Sequence, residues 1–211
     1  MIPKLHYLSQ ATTATTHLDH IQKACSSGAE LIQLDLEHIL ENERLTLATE
    51  VLKITSHFQT RLIIRSHYKI AIELKLDGVY LLPTDSSPTH VREQLYSWQS
   101  IGAAAHHLQD CEDLLSNDVD YIALGPFKTT TIDSVKPLDL TVYKILMESL
   151  DTETPVLAYG DITTDDVDSL LKTGISGLAV SLAIDNDFNS IKTFNELLGA
   201  SSTGEMRHSF K

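Results

Sequence analysis

Cysteine is scarce: Cys25 and Cys111 are the only two in 211 residues, and both fall in segments of helical pattern. They read as reduced packing residues of a cytoplasmic protein, because disulfides persist mainly in oxidising compartments. Long apolar runs are missing as well. Met1-Ile2-Pro3-Lys4 leads into no extended apolar region, and no stretch reaches the roughly 20 residues of a membrane-spanning helix. Positive charge is short, with 16 Lys and Arg against 29 Asp and Glu, a formal net charge of -13. That balance excludes the basic stripe which non-specific nucleic-acid binding requires. The expectation is a soluble chain with neither a nucleic acid nor a membrane as partner, a homo-oligomer being left open. An anionic ligand would need cations placed locally. Two further absences bear on the fold. No Gly/Ser-rich linker divides the chain, and no G-x-G-x-x-G marks the phosphate turn of an open doubly wound sheet.

What is present is a regular alternation. Eight short apolar runs, beginning with Leu5-Ser9 and ending with Gly177-Leu182, are separated by segments of helical spacing. The most informative run is Asp120-Tyr121-Ile122-Ala123-Leu124-Gly125-Pro126. Its apolar residues follow one another without polar alternation, as in a parallel strand buried on both faces. Gly125-Pro126 is expected to end that strand, since Pro cannot continue a central ladder. Helices are expected over Thr46 to Phe58, through Val91, Leu95 and Trp98, and through Val167, Leu170 and Leu171 behind a Thr163 or Thr164 cap. The pattern predicts one α/β domain, a (β/α)₈ barrel over residues 1–200, with a frayed polar tail over 201–211. An open parallel sheet is the rival.

In such a barrel the site lies where the strands end. Gly160 and Ser181 follow the last two strands, where barrels often bind phosphate, although Gly160 could equally just start a turn. Asp161 beside it would repel a phosphate unless a cation intervened. His106 directly follows the fifth strand. Its imidazole titrates near neutrality and could take and return a proton, or simply be hydrogen-bonded for structure. His107 is expected to be exposed. Asp85 is a candidate for metal or ligand contact, or for a helix cap. Asp35 and Glu37 read as a solvated rim, and with His67 and Asp85 they could alternatively form a new metal site.

The segments Leu31-Ile32-Gln33-Leu34, Asp77-Gly78-Val79-Tyr80, Gly102 to His106, Asp120 to Pro126, Pro155 to Ile162 and Gly174 to Ile184 together resemble the thiamine phosphate synthase/TenI family of barrels. The similarity covers roughly residues 5–184, and the Asp-Tyr-hydrophobic-Gly-Pro segment is the most specific part. The resemblance implies a site for thiazole phosphate and an aminopyrimidine, joined by synthases with loss of pyrophosphate and the help of Mg²⁺. It matches Gln33 to the pyrimidine-side Gln, Asp85 to a Mg²⁺-binding Asp, Thr130 to a loop Thr and Gly160 to one Gly of the phosphate-binding pair.

The sequence also departs from the family pattern. The family's Gln-x-Arg-x-Lys reads Gln33-Leu34-Asp35-Leu36-Glu37, its Asn-Asp pair reads Arg65-Ser66, and Asp133 stands near the position of a loop Lys. Ala104 replaces a Ser, and Asp161 interrupts the Gly pair. These changes remove groups that would hold a pyrophosphate and its metal. Arg65, Lys128 and Lys136 are the cations available to compensate. The TenI branch isomerises a thiazole carboxylate phosphate with a His matching His106, a reaction that needs no pyrophosphate pocket. The expectation is therefore a thiamine-pathway barrel, tautomerase-like before synthase-like. A non-catalytic barrel that binds thiazole phosphate, thiamine phosphate or a protein is the other class.

Overall fold

The computed structural model describes residues 1–128 and 135–199. Eight parallel strands, β1 (Leu5–Ser9), β2 (Leu31–Leu34), β3 (Arg61–Arg65), β4 (Gly78–Leu81), β5 (Ser100–Ala105), β6 (Tyr121–Phe127), β7 (Val156–Gly160) and β8 (Gly177–Val180), close into a barrel in sequence order. β1 pairs with β8 through Leu5 to Leu178 and Tyr7 to Val180, so there is no free edge and the open-sheet alternative is excluded.

Alternation along each strand sorts side chains into two cores. On β3, Leu62 and Ile64 face the helices, while Ile63 faces the axis. The axial core consists of Leu31, Ile63, Tyr80, Ala104, Tyr121, Ala123 and Leu157, with Ile2 packed against it. Gly102 makes this core possible. A β-carbon there would stand 1.9 Å from Cζ of Tyr121, so the phenol ring occupies the space that a side chain on β5 would fill.

His6 lies against Tyr121 edge-on, ring centroids 4.9 Å apart, and is wholly buried. Neither ring nitrogen has a hydrogen-bond partner among the described residues, although the Pro3 carbonyl is near enough to favour protonation. Burial dominates and lowers its pKa to about 3. His6 is thus neutral when folded and titrates near its ordinary 6.5 when unfolded. The unfolded chain binds the extra proton between those values, so stability should fall by about 1.4 kcal/mol per pH unit as pH drops from 6.5 towards 3. Denaturant titrations of wild type and His6→Phe over this range check it, since the variant should lose that slope.

Most predicted elements appear, with shifted ends. The second helix, α2 (Glu41–Phe58), follows α1 (Ala14–Ser26) and begins five residues before Thr46, with Glu41 and Glu43 in its first turn, where acids suit the helix dipole. After α3 (Tyr68–Glu73), α4 (Pro88–Arg92) stops short, leaving Leu95 and Trp98 outside it. Trp98 is instead 54% exposed and stacked on Tyr96. Gly125-Pro126 does not end β6, which runs on to Phe127. The ladder to β7 breaks register between Leu124 and Phe127, so the missing N–H of Pro126 falls within the irregularity.

Downstream of α5 (Leu108–Ser116) and α6 (Leu140–Ser149), Thr163 opens a 3-10 turn ahead of α7 (Val167–Leu171), and its N–H and hydroxyl both donate to Asp166. β8 ends at Val180, so Leu182 begins α8 (Leu182–Asn186), before α9 (Ser190–Leu197). Cys25 and Cys111 are buried free thiols, and burial raises both pKa values, that of Cys111 to about 12. The tail expected over 201–211 lies outside the described residues.

Candidate active site

A cavity of about 260 Å³ opens at the carboxyl ends of the strands. Its depth comes from three small residues, Ala104, Ala123 and Ala179, above Tyr121. Gln33, Arg65, Tyr80, His106 and Tyr159 form the upper wall. Of the predicted residues the fold therefore brings Gln33, Arg65 and His106 to one space, with Asp35 at its edge.

Arg65 ends β3 and donates from Nη1 to Asp35 Oδ2, and to Glu37 Oε2 at 3.1 Å. Asp35 is buried, and its other oxygen accepts from the Glu37 amide at 2.9 Å. Burial alone would lower the pKa of Arg65, but the neighbouring groups, Asp35 foremost and Glu37 with it, together outweigh burial and raise it, holding the guanidinium charged. Asp35 is therefore not the solvated rim predicted, whereas Glu37, 57% exposed, is solvated as expected. They enclose a cation with one negative charge to spare.

His106 is held by its Nδ1, which lies 3.0 Å from the Gly125 carbonyl oxygen and 3.2 Å from the Tyr159 hydroxyl. A carbonyl only accepts, so Nδ1 carries the proton and Nε2 is left with a lone pair. No described residue bonds Nε2. His107 is exposed, as expected, and caps α5.

Other predicted residues lie elsewhere. Oδ2 of Asp85 accepts from Ser66 Oγ and from the Leu82 amide, both at 2.7 Å, tying the β3 and β4 exits together. Lys128 pairs with Asp166 at 2.8 Å, is 46% exposed and does not line the cavity; neither does exposed Lys136. His67 lines a separate cleft with Arg44 and Lys69. Among the described residues no three His, Cys, Asp or Glu side chains gather as a metal site, which overturns the alternative built on Asp35, Glu37, His67 and Asp85. Thr130 and Asp133 lie outside the described residues.

Gly160 and Ser181 sit beside the cavity walls Tyr159 and Ala179. Gly160 is demanded locally: its φ is +138°, and a β-carbon would meet the Phe127 oxygen at 2.3 Å. The Ser181 hydroxyl lies 3.5 Å from Asp185, which also accepts from Tyr7 and pairs with His20. The residues missed from sequence were the aromatic ones, Tyr80, Tyr121 and Tyr159. The Tyr121 hydroxyl is buried with no partner among the described residues, and burial keeps it neutral by raising its pKa far above the ordinary value. Their only sequence signal was position in the strand, which does not reveal which face is axial.

The model of the thiamine monophosphate synthase family matches residues 7–184. The chain belongs to that family. The thiamine-phosphate synthase of Flavobacterium johnsoniae is 32% identical over 86% of this chain and 88% of its own length. That of Flavobacterium psychrophilum is 31% identical over 94% and 100%. Among solved structures, thiamine phosphate pyrophosphorylase from Pyrococcus furiosus aligns with a TM-score of 0.81 at 20% identity, covering 93% of this chain and 95% of that one. This last likeness supports the barrel alone. The family assignment agrees with the resemblance read from the sequence, while the relatives' names favour the synthase that was held there as the alternative. No helix among the described residues is long and apolar enough to cross a membrane.

Proposed function

We propose that this barrel serves thiamine biosynthesis by moving a proton on a thiazole phosphate held in its mouth, with His106 as acid and base. The observation that supports this most is the Nδ1 contact with the Gly125 carbonyl, which fixes the tautomer and turns Nε2 into a base. The apolar cavity suits a flat heterocycle. Gln33 is the amide available to orient it, and the phosphate would lie towards Gly160 and Ser181, with Lys128 just past the end of β6.

The names of the relatives favour a second reading, a synthase joining thiazole phosphate to a pyrimidine diphosphate. Charge at the mouth speaks against it here. The cavity's charged walls are Asp35 and Arg65, and Arg65 is already enclosed by two carboxylates. The Mg²⁺ such a synthase uses prefers octahedral oxygen donors from carboxylates and phosphates. Asp85 has one oxygen committed to Ser66 and Leu82, and the neighbouring carboxylate of the family pattern is Ser66 itself. The donor set does not fit the ion.

Two assays on one preparation test the proposal. The thiazole carboxylate phosphate should be converted to its aromatic tautomer without added metal. Thiazole phosphate, pyrimidine diphosphate and Mg²⁺ together should yield no thiamine phosphate. The reverse outcome would establish the synthase. Calorimetric binding of thiazole phosphate or thiamine phosphate with neither turnover would establish a non-catalytic barrel.

A further inference from the structure

The Tyr159 side chain touches the base. Its hydroxyl is 3.2 Å from His106 Nδ1, and its ring forms part of the cavity wall. The room for that ring comes from Gly125, where a β-carbon would stand 2.8 Å from Tyr159 Cδ1. Gly125 therefore does two things at once: its carbonyl accepts from Nδ1, and its missing side chain admits the phenol. Nδ1 carries one hydrogen and faces two oxygens, Gly125 O at 3.0 Å and Tyr159 Oη at 3.2 Å. With Nδ1 protonated, Tyr159 Oη accepts from it, and the phenolic proton is turned away from the imidazole.

We propose that Tyr159 is a second catalytic residue, the acid partner of His106, and that the two move a proton across the bound ligand as a relay. This rests on His106 acting as the base. Nε2 takes a proton from the ligand at one atom, and the Tyr159 hydroxyl gives its proton to another atom of the same ligand. The phenolate oxygen recovers a proton from Nδ1 across the existing 3.2 Å contact. One proton leaves the ligand and one arrives, no electrons are exchanged with a third species, and the imidazole ends as its other tautomer, protonated on Nε2. In that state the Nδ1 lone pair faces the Gly125 carbonyl, an unfavourable arrangement that proton exchange with water relieves before the next turnover. The relay accounts for what a lone histidine leaves open, delivery of a proton to a ligand atom that Nε2 does not reach.

Tyr159→Phe tests this, because it removes one oxygen and leaves the ring against Gly125. With the thiazole carboxylate phosphate, kcat should fall by about 10²-fold with KM changed less than about two-fold. Tyr159→Phe combined with His106→Asn should be no slower than the slower single variant, as groups acting in one relay are not additive. Unchanged kcat in Tyr159→Phe, or a double variant showing the product of the two losses, would overturn the relay. A readout without ligand separates this from failure of the tautomerase reading. The ¹⁵N resonance of His106 Nδ1 in the free protein should shift in Tyr159→Phe, because one of its two acceptors is gone. An unmoved resonance overturns the pairing even if the wild type turns over, and a shifted one upholds it even if that substrate proves wrong.

Discussion

His106→Asn should slow conversion of the thiazole tautomer by roughly 10²–10⁴-fold, the usual contribution of a positioned acid or base. Asn retains an amide N–H that reaches for the Gly125 carbonyl, so the strand exit keeps its hydrogen bond. What it lacks is a ring nitrogen that can both take up and return a proton. The ligand should therefore still bind, and the loss should fall on kcat rather than KM. Steady-state kinetics of the two proteins decide the matter. Equal rates would remove His106 from the mechanism, and with it the reason for assigning a base to this cavity.

Arg65→Met should destabilise the fold by about 3 kcal/mol, because it strands the buried Asp35 carboxylate without its cation. For a chain of this size that corresponds to a fall in Tm of roughly 6–12 °C. Asp35→Leu should be milder, since Arg65 keeps Glu37 as a partner at 3.1 Å. The double variant Asp35→Leu/Arg65→Met should recover much of the loss, as it buries neither charge. Thermal unfolding of the three variants checks this ranking. If Arg65→Met melts like wild type, the ion pair is too well solvated to shape the mouth, and the two carboxylates do not keep Arg65 from meeting a diphosphate.

The barrel was legible because it depends on periodicity. Eight apolar runs of strand length, each followed by a helical pattern, leave few topologies that obey right-handed crossovers. Local detail was less legible wherever long-range contacts override local preference. Pro126 reads as a strand terminator, yet it sits inside β6 because the register shift against β7 removes the need for its N–H. Gly160 reads as a phosphate cradle, yet the closeness of the Phe127 backbone already requires glycine there.

The site divides in the same way. His106 was recoverable because its place after β5 follows from counting. Asp35 looked solvated because its partner, Arg65, lies 30 residues away and meets it only once β2 and β3 pair in register. Tyr159 was invisible because β7 is apolar on both faces, so nothing in Val156-Leu157-Ala158-Tyr159 says which side chains face the axis.

Tyr121, laid over Gly102 with His6 edge-on against it and Ile2 packed on the same cluster, gives the lumen a closed base. The cavity is thus a well and not a tunnel. Whatever is drawn in must back out along its own path, and a bulky first occupant bars entry to a second until it has gone. Traffic through one doorway then limits how often the cavity can exchange its occupant.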